Sequence, residues 1–494
     1  MAVPRWLPLV AVFGLAMVLR GVVLANADVS WGLTMAEKFL DGQRLYVDIG
    51  EVNPPATTFL YVVPAWLARV SGVRAEFIVA VLVLLAAAGS IWSAGRILLR
   101  ANLLEGWDGW QLATIAAAAL TILPAMTFGE REHIGLIAFL PFLAASAARA
   151  MGRQPELPMA IIAGIGAGIA LVIKPHFACG LVCTTAAAAV CARSWRPLFA
   201  IENWIAGVVA VSYAAWIIVA FPQFVSDTLP LVATVYLPIV ASFWSLVIHF
   251  GTPLWVAALA LIVWLKRRAV LEPPFCLLLV ASFGFAISYY VQQKGWAYHS
   301  YPMLALALIA LAIAFVDRWH REPSGAGDNR RGRLTTALVA ALIAGTTFCW
   351  MDFARDRSAV AAAVAALKPR PKILAISEDL AIGHPLTRQV EGIWVSRVPS
   401  LWISAGVLLR EKYETLDAQT TARLDAYAAR DRAMLAEDIA RQQPDVILVG
   451  LRINDTFNWL TWAKSYPILR QQLQHYREYE TVDDVLILRR RDSS

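Results

Sequence analysis

Roughly eleven runs of about 15 to 25 mostly apolar residues fill the first 350 positions of this 494-residue chain. Each is close to the ~20 apolar residues that a helix needs to cross the hydrocarbon core of a bilayer. They lie near 6–25, 75–99, 111–128, 133–150, 159–174, 176–192, 203–221, 251–265, 273–291, 302–317 and 334–350. No single water-soluble core buries that much continuous apolar chain, so most of the protein is expected in lipid. Composition agrees: 59% of residues are hydrophobic and 16% charged, with a mean hydropathy of +0.58, against about 25% charged in a soluble domain. Charge is also unevenly spread. Residues 1–350 carry 23 Lys/Arg and 17 Asp/Glu, whereas residues 351–494 carry 20 and 19 in less than half the length. The expected organisation is a polytopic helical membrane domain, 1–350, with outer juxtamembrane helices at 26–74, followed by a small soluble domain, 351–494.

The basic residues between spans set the expected orientation. With the N-terminus in the cytoplasm, the inward connections contain Arg96 and Arg100, Arg149 and Arg153, Arg193 and Arg196, Lys266 to Arg268, and Arg318 to Arg333. Every one of them then follows the positive-inside rule. An odd number of spans puts residues 351–494 outside, in the periplasm of a bacterial inner membrane. The stretch 54–72 is apolar but short and broken by Pro64, and counting it as a span would turn the basic clusters outward. It reads as a helix lying in the outer interface. The tail alternates strand-like runs (Lys372–Ser377, Asp445–Gly450, Asp484–Leu488) with helical stretches near 416–443 and 457–475, the pattern of a small α/β domain.

Several classes fall away. A net charge of +7 invites nucleic acid, but the Lys/Arg of the membrane part sit between spans, where topology explains them. Four of the five cysteines lie inside apolar runs, and together they have neither metal-ligand nor disulfide spacing. The run Trp6–Ala25 has the basic flank of a signal peptide, but no small-residue cleavage site follows, so it reads as a retained anchor.

In this orientation the remaining polar residues gather at outward-facing helix ends. The first loop supplies Asp28, Glu37, Lys38, Asp41, Tyr46, Asp48, Glu51 and Asn53; FGEREHIG supplies Glu130, Arg131, Glu132 and His133; the break between two short spans supplies Lys174 and His176; QQKGWAYHSYP supplies Lys294, Tyr298, His299 and Tyr301. Ionisable groups at membrane depth are costly and mark functional sites by default. Capping explains one carboxylate of the second loop, Glu130 or Glu132, and snorkelling would explain a lone lysine, but neither explains the set.

A carboxylate beside several cations at the lipid boundary suits sugar transfer from a polyprenyl phosphate. The carboxylate removes the acceptor's proton while Lys and Arg stabilise the departing phosphate. A phosphate leaving group needs no strong general acid, and outside the cytoplasm a lipid-linked donor is the activated sugar within reach. Asp28 is the expected base, with Glu132 and Glu130 as further catalytic carboxylates. Lys174, Lys294, Arg131, His176 and His299 are expected at the donor phosphate, and Tyr46, Asp48, Asn53 and Tyr298 at the substrate.

The layout of residues 1–350 resembles the GT-C glycosyltransferases, in the branch of the lipid A aminoarabinose transferases and protein O-mannosyltransferases. The likeness rests on Asp28 just after the first span, the return loop GQRLYVDIGEVNPP, the acidic loop GEREH and the step Lys174-Pro175. It implies that Asp28 is the catalytic base and that juxtamembrane helices frame the lipid-phosphate site. Where the aminoarabinose transferases carry a lysine before Pro-Pro, this chain has Asn53, so a phosphate contact is expected to move to Lys174, Lys294 or Arg131. The expected partners are a polyprenyl-phosphate-linked sugar, an extracytoplasmic glycan, lipid or protein acceptor, and membrane lipids.

Two other functions compete. An O-antigen-ligase-like transferase would place arginines and a histidine in a large outer loop, which the membrane part lacks. A lipid or glycan transporter with an outer receptor domain would carry charges in mid-span and internal repeats. Asp28, Asp48, Glu130 and Glu132 could supply oxygen ligands to a divalent metal, but the cations among them weigh against one, and no cofactor is expected.

Overall fold

The computed structural model describes residues 4–23, 25–104, 108–321, 327–353, 356–451 and 457–491. The chain forms two compact units, each assembled from three separate segments. One comprises residues 1–24, 76–215 and 240–353, and the other residues 25–75, 216–239 and 354–494.

The first unit is a helical bundle, and all eleven predicted stretches are helical in it. Among the described residues, six helices are long and apolar enough to cross a membrane: Ala75–Arg100, Arg131–Ala150, Ile201–Ala220, Pro273–Gln292, Ala297–His320 and Arg330–Met351. Five more are apolar but shorter: Leu7–Val22, Gly109–Ile122, Leu157–Ile173, Pro175–Cys191 and Gly251–Lys266. This is a multi-pass membrane protein.

Small residues bring these helices together, as they do where apolar side chains gain nothing by leaving lipid. Gly164, Gly166 and Gly168 line Leu157–Ile173: a Cβ at Gly166 would strike the Ala138 carbonyl, and one at Gly164 would lie 2.8 Å from the Glu202 carbonyl oxygen. Gly180 and Gly284 meet in the same way across another pair, a Cβ on Gly284 falling 2.8 Å from the Gly180 Cα. Several basic residues between spans are paired with acids: Arg149 with buried Glu202 at 3.1 Å, Arg96 with Glu156 at 2.8 Å and Lys266 with Asp317 at 2.5 Å.

The second unit is built on a five-stranded sheet of order β2-β1-β3-β5-β4, with β1 Lys372–Ile376, β2 Ile393–Trp394, β3 Val446–Gly450, β4 Tyr476–Val482 and β5 Val485–Arg490. Strands β1, β2 and β3 are parallel, and the β4–β5 hairpin closes the other edge in antiparallel register. Alternation assigns each strand's side chains to two faces. Leu374, Ile376, Ile447, Val449, Leu486 and Leu488 pack with Leu435 and Ile439 of the helix Ala418–Gln442 and with Trp459 and Leu469 beyond it.

The opposite face holds the main departure from expectation. Ile373, Ala375, Val446, Leu448, Val485 and Ile487 share one core with Val360 and Val364 of the helix Ser358–Leu367, and also with Trp31, Met35, Leu45, Tyr46 and Ile49. The juxtamembrane segment assigned to the membrane domain therefore belongs to the α/β unit. The physical reason is its helix Ala27–Leu40, whose apolar face needs a partner that the charged tail supplies in its sheet. The stretch read as an interfacial helix is Ala56–Ser71; it packs beside Ala27–Leu40 and leaves Val63, Trp66 and Val70 exposed along one side.

Candidate functional site

In the bundle, the loop after Thr127 turns at Gly129, which has a φ of +83°, and starts the helix Arg131–Ala150. Glu130 is the N-cap residue, but its carboxylate makes no capping bond. His133 instead braces the turn before the helix: its Nδ1 accepts the Gly129 N–H at 2.9 Å, and its Nε2, 2.6 Å from the Leu120 carbonyl, donates to it. His133 is thereby a fully buried structural residue with a fixed tautomer.

Glu130, Arg131 and Glu132 are buried at the helix start. Lys174 ends the helix Leu157–Ile173 in an extended conformation, because Pro175 restricts the residue before it. Its ammonium reaches Glu132 Oε1 at 2.8 Å. His299, from the first turn of the helix beginning at Ala297, brings Nε2 to 3.3 Å from the same oxygen. Trp296 stacks on the His299 ring and buried Tyr298 meets it edge-on, which fixes the imidazole. Arg131 and His176 lie within electrostatic range of Glu132 and His299. His176 is held by Gln292, and its carbonyl accepts from Ser288 at 2.7 Å. Lys294 sits half-buried in the linker between Gln292 and Ala297. Three loops far apart in sequence thus deliver a buried carboxylate, a lysine and an imidazole to one point, with an arginine and a second histidine nearby.

The first-loop candidates lie in the α/β unit. Asn26 caps the helix Ala27–Leu40, its side chain accepting from the Asp28 N–H at 2.8 Å. Asp28 is therefore not the capping residue, and its half-buried carboxylate stands in the first helical turn. Glu51 is the hub of the return loop: it accepts from the Trp31 indole at 2.8 Å and from the Asn53 backbone and side-chain N–H groups at 2.9 and 2.5 Å. Tyr46 donates its hydroxyl to the Asn53 carbonyl at 2.7 Å. Asp48 accepts from the Arg44 backbone at 2.9 Å, and that bond holds its carboxyl below the usual carboxylate range. Tyr46, Asp48 and Asn53, expected at the substrate, thus make hydrogen bonds that shape their own loop.

Two residues escaped the sequence reading. Arg20, inside the first apolar run, donates to the Ala125 carbonyl at 2.6 Å and lies 4.5 Å over the Phe128 ring, bracing the loop that leads to Glu130. Its signal was present, an arginine in an apolar run. His384, in the tail, has no such signal. Among the described residues, no three His, Cys, Asp or Glu side chains form a metal-ligand set.

No protein-family model matches the chain, and no characterised protein matches it in sequence. Solved structures do. ArnT from Cupriavidus metallidurans in the apo state aligns over 97% of both chains with a TM-score of 0.55 and 14% identity. ArnT from the same organism bound to undecaprenyl phosphate aligns over 97% of both chains with a TM-score of 0.54, also at 14% identity. This chain has the GT-C fold. The fold expected from the layout of spans and loops is the one found, with an α/β domain at its C-terminus. At 14% identity few side chains are shared, so the GT-C likeness concerns the path of the chain, and the site must be argued from its own residues.

Proposed function

We propose that this protein is an integral-membrane glycosyltransferase that moves a sugar from a polyprenyl-phosphate donor to an extracytoplasmic acceptor. The observation that carries the reading is the shared fold, over 97% of both chains, with an ArnT structure that holds undecaprenyl phosphate. The buried Glu132–Lys174–His299 cluster supports it, since cations held in a low-dielectric site are what a developing phosphate charge requires.

In the reaction, Asp28 takes the proton of the acceptor hydroxyl. The freed oxygen attacks the anomeric carbon, the bond from that carbon to the phosphate oxygen breaks, and the polyprenyl phosphate leaves with the electron pair. Lys174, with Arg131, Lys294 and the imidazoles of His176 and His299, meets the charge that builds on that phosphate. Glu132 holds Lys174 and His299 in place, Glu130 serves as a further carboxylate of the site, and Tyr298 keeps His299 oriented.

The placement of all three segments of the α/β unit on one side of the membrane has support in its assembly. Its three segments must share one side of the membrane. Among the described residues, six apolar helices separate the first segment from the second and four separate the second from the third, and both numbers are even. With the single helix Leu7–Val22 as one more crossing, the N-terminus would lie on the opposite side, the cytoplasm in the orientation that the basic connections favour. Exposed Val63, Trp66 and Val70 suit a helix lying on the outer surface of the bacterial inner membrane.

The test uses purified protein in lipid nanodiscs, supplied with polyprenyl-phosphate-linked sugars extracted from the producing membranes, and reads released polyprenyl phosphate by mass spectrometry. Asp28→Asn keeps the shape and removes the base, so it should insert and fold normally and lose turnover at least a hundredfold. Failure of the wild-type protein both to bind undecaprenyl phosphate and to release it from the extract would overturn the reading. Full turnover in Asp28→Asn would overturn the base.

A further inference from the structure

The helix that carries Asp28 owes its position to the α/β domain. Two residues beyond Asp28, the Ser30 hydroxyl and His384 Nδ1 are hydrogen-bonded at 3.3 Å, and both residues are fully buried. One residue further, the Trp31 ring packs on the His384 imidazole with centroids 5.4 Å apart, and the imidazole in turn packs on Trp394 at 4.7 Å. The Trp31 indole N–H is fixed at its other end by Glu51. Asp28 and Trp31 are three apart on one helix, so a Trp31 locked at both ends sets the rotation of the helix and with it the direction of the Asp28 side chain.

The same helix is tied along its length. Arg388 pairs with Glu37 at 2.8 Å, and Lys38 donates to the Ser396 carbonyl at 2.6 Å. Beyond the helix, the Gly50 N–H donates to the Arg397 carbonyl at 2.8 Å, where a Cβ on Gly50 would strike Val398. Arg397 is itself held by Asp438 at 2.7 Å.

We infer that the C-terminal domain is the seat of the base-bearing helix and that His384 is the positioning residue that aligns Asp28 through Ser30 and Trp31. The inference rests on the reading of Asp28 as the base and adds a role for the domain to it. His384 touches no reacting atom; it acts by holding the first turn of the helix at one rotation, and a shift of the order of 1 Å at a catalytic group costs up to about a hundredfold in rate.

The test uses the full-length protein in nanodiscs with three variants. His384→Phe keeps a ring between Trp31 and Trp394 and removes the Nδ1 partner; Ser30→Ala removes the same bond from the helix side; His384→Asn restores a hydrogen-bonding atom near the Nδ1 position. The first two should raise amide hydrogen exchange at residues 28–33 roughly three- to tenfold, with exchange in β1 and β3 unchanged. They should also lower kcat on the extracted polyprenyl-phosphate sugars about ten- to a hundredfold at an unchanged apparent KM. His384→Asn should recover most of both. Unchanged exchange at 28–33 together with unchanged kcat in His384→Phe and Ser30→Ala, when Asp28→Asn is inactive, overturns the seating alone. Raised exchange in those two variants with full turnover in Asp28→Asn sinks the base assignment and leaves the seating of the helix standing.

Discussion

The Glu132 carboxylate receives the Lys174 ammonium at 2.8 Å, and neither side chain is more than 9% exposed. The two charges depend on each other, because removing one partner of a buried pair strands the other at a cost of about 3–5 kcal/mol. Glu132→Gln and Lys174→Met should each lower the thermal unfolding temperature of the purified protein. The double variant should melt above both, while turnover stays low in all three. A double variant whose loss equals the sum of the single losses would mean that the pair is not coupled in the folded protein.

Lys294 offers a second test of phosphate binding, since it stands half-buried in the linker between Gln292 and Ala297. Lys294→Met should weaken undecaprenyl phosphate binding or slow turnover by a factor of roughly ten to a thousand, the loss that follows removal of one electrostatic stabiliser from an active site. A lysine that only snorkels to the interface would leave both at wild-type values.

Reporter fusions test the orientation. Alkaline phosphatase joined after Phe353 should be active and a cytoplasmic reporter at the same point silent, while a fusion in the Arg149–Arg153 connection should give the reverse pattern. Cytoplasmic activity after Phe353 would invert the bundle and place Asp28 with the α/β unit on the inner side.

The C-terminal domain carries its own pH signature. Asp431 is 1% exposed and bonds Ser404 through its backbone N–H and its hydroxyl at 3.1 and 2.6 Å. Burial pushes its carboxyl up to about 6, against the opposing pull of those bonds. The folded protein therefore binds this proton more tightly than the unfolded chain, so the group's penalty is full above pH 6 and fades as pH falls towards 4. Asp431→Asn keeps an acceptor for Ser404 and should be more stable than wild type at pH 7 by up to ~3 kcal/mol, with the advantage gone near pH 4. Thermal unfolding of both proteins at several pH values reads that difference. His384 acts in the opposite sense: burial, with Arg388 and Lys38 beside it, lowers its imidazole to about 3, so the stability it lends is lost as pH falls from about 6.5. An Asp431→Asn advantage that grows towards acid would show the sign to be wrong.

Much of this was legible in the sequence. Apolar runs mark the bundle because a bilayer admits little else, and Glu132, Lys174 and His299 could be picked out because charge beside such runs is costly. What could not be read was partnership. The pattern of Ala27–Leu40 announces an apolar face, but its cover lies on β1, β3 and β5, more than three hundred residues away. Asn53 stood out as a departure at a phosphate contact, yet its hydrogen bonds to Glu51 depend on the path of the loop, which spacing does not encode. His384 lies in a stretch with no periodicity to mark it, and only the packing of Trp31 on its ring reveals it.

The split of the α/β unit into three segments governs how the protein comes into being. Residues 25–75 leave the ribosome far ahead of residues 354–494, and at ~5–20 residues per second the interval is on the order of tens of seconds. Through that time Trp31 and Met35 wait without the sheet that later buries them. A nascent chain stopped short of β5 can carry every span of the bundle and both halves of the Glu132–Lys174 pair while the core around Trp31 and Met35 still lacks Val485 and Ile487. On the function proposed above, unfinished chains in the membrane should then be inert instead of partly active, with transfer beginning only when the last strand has been made.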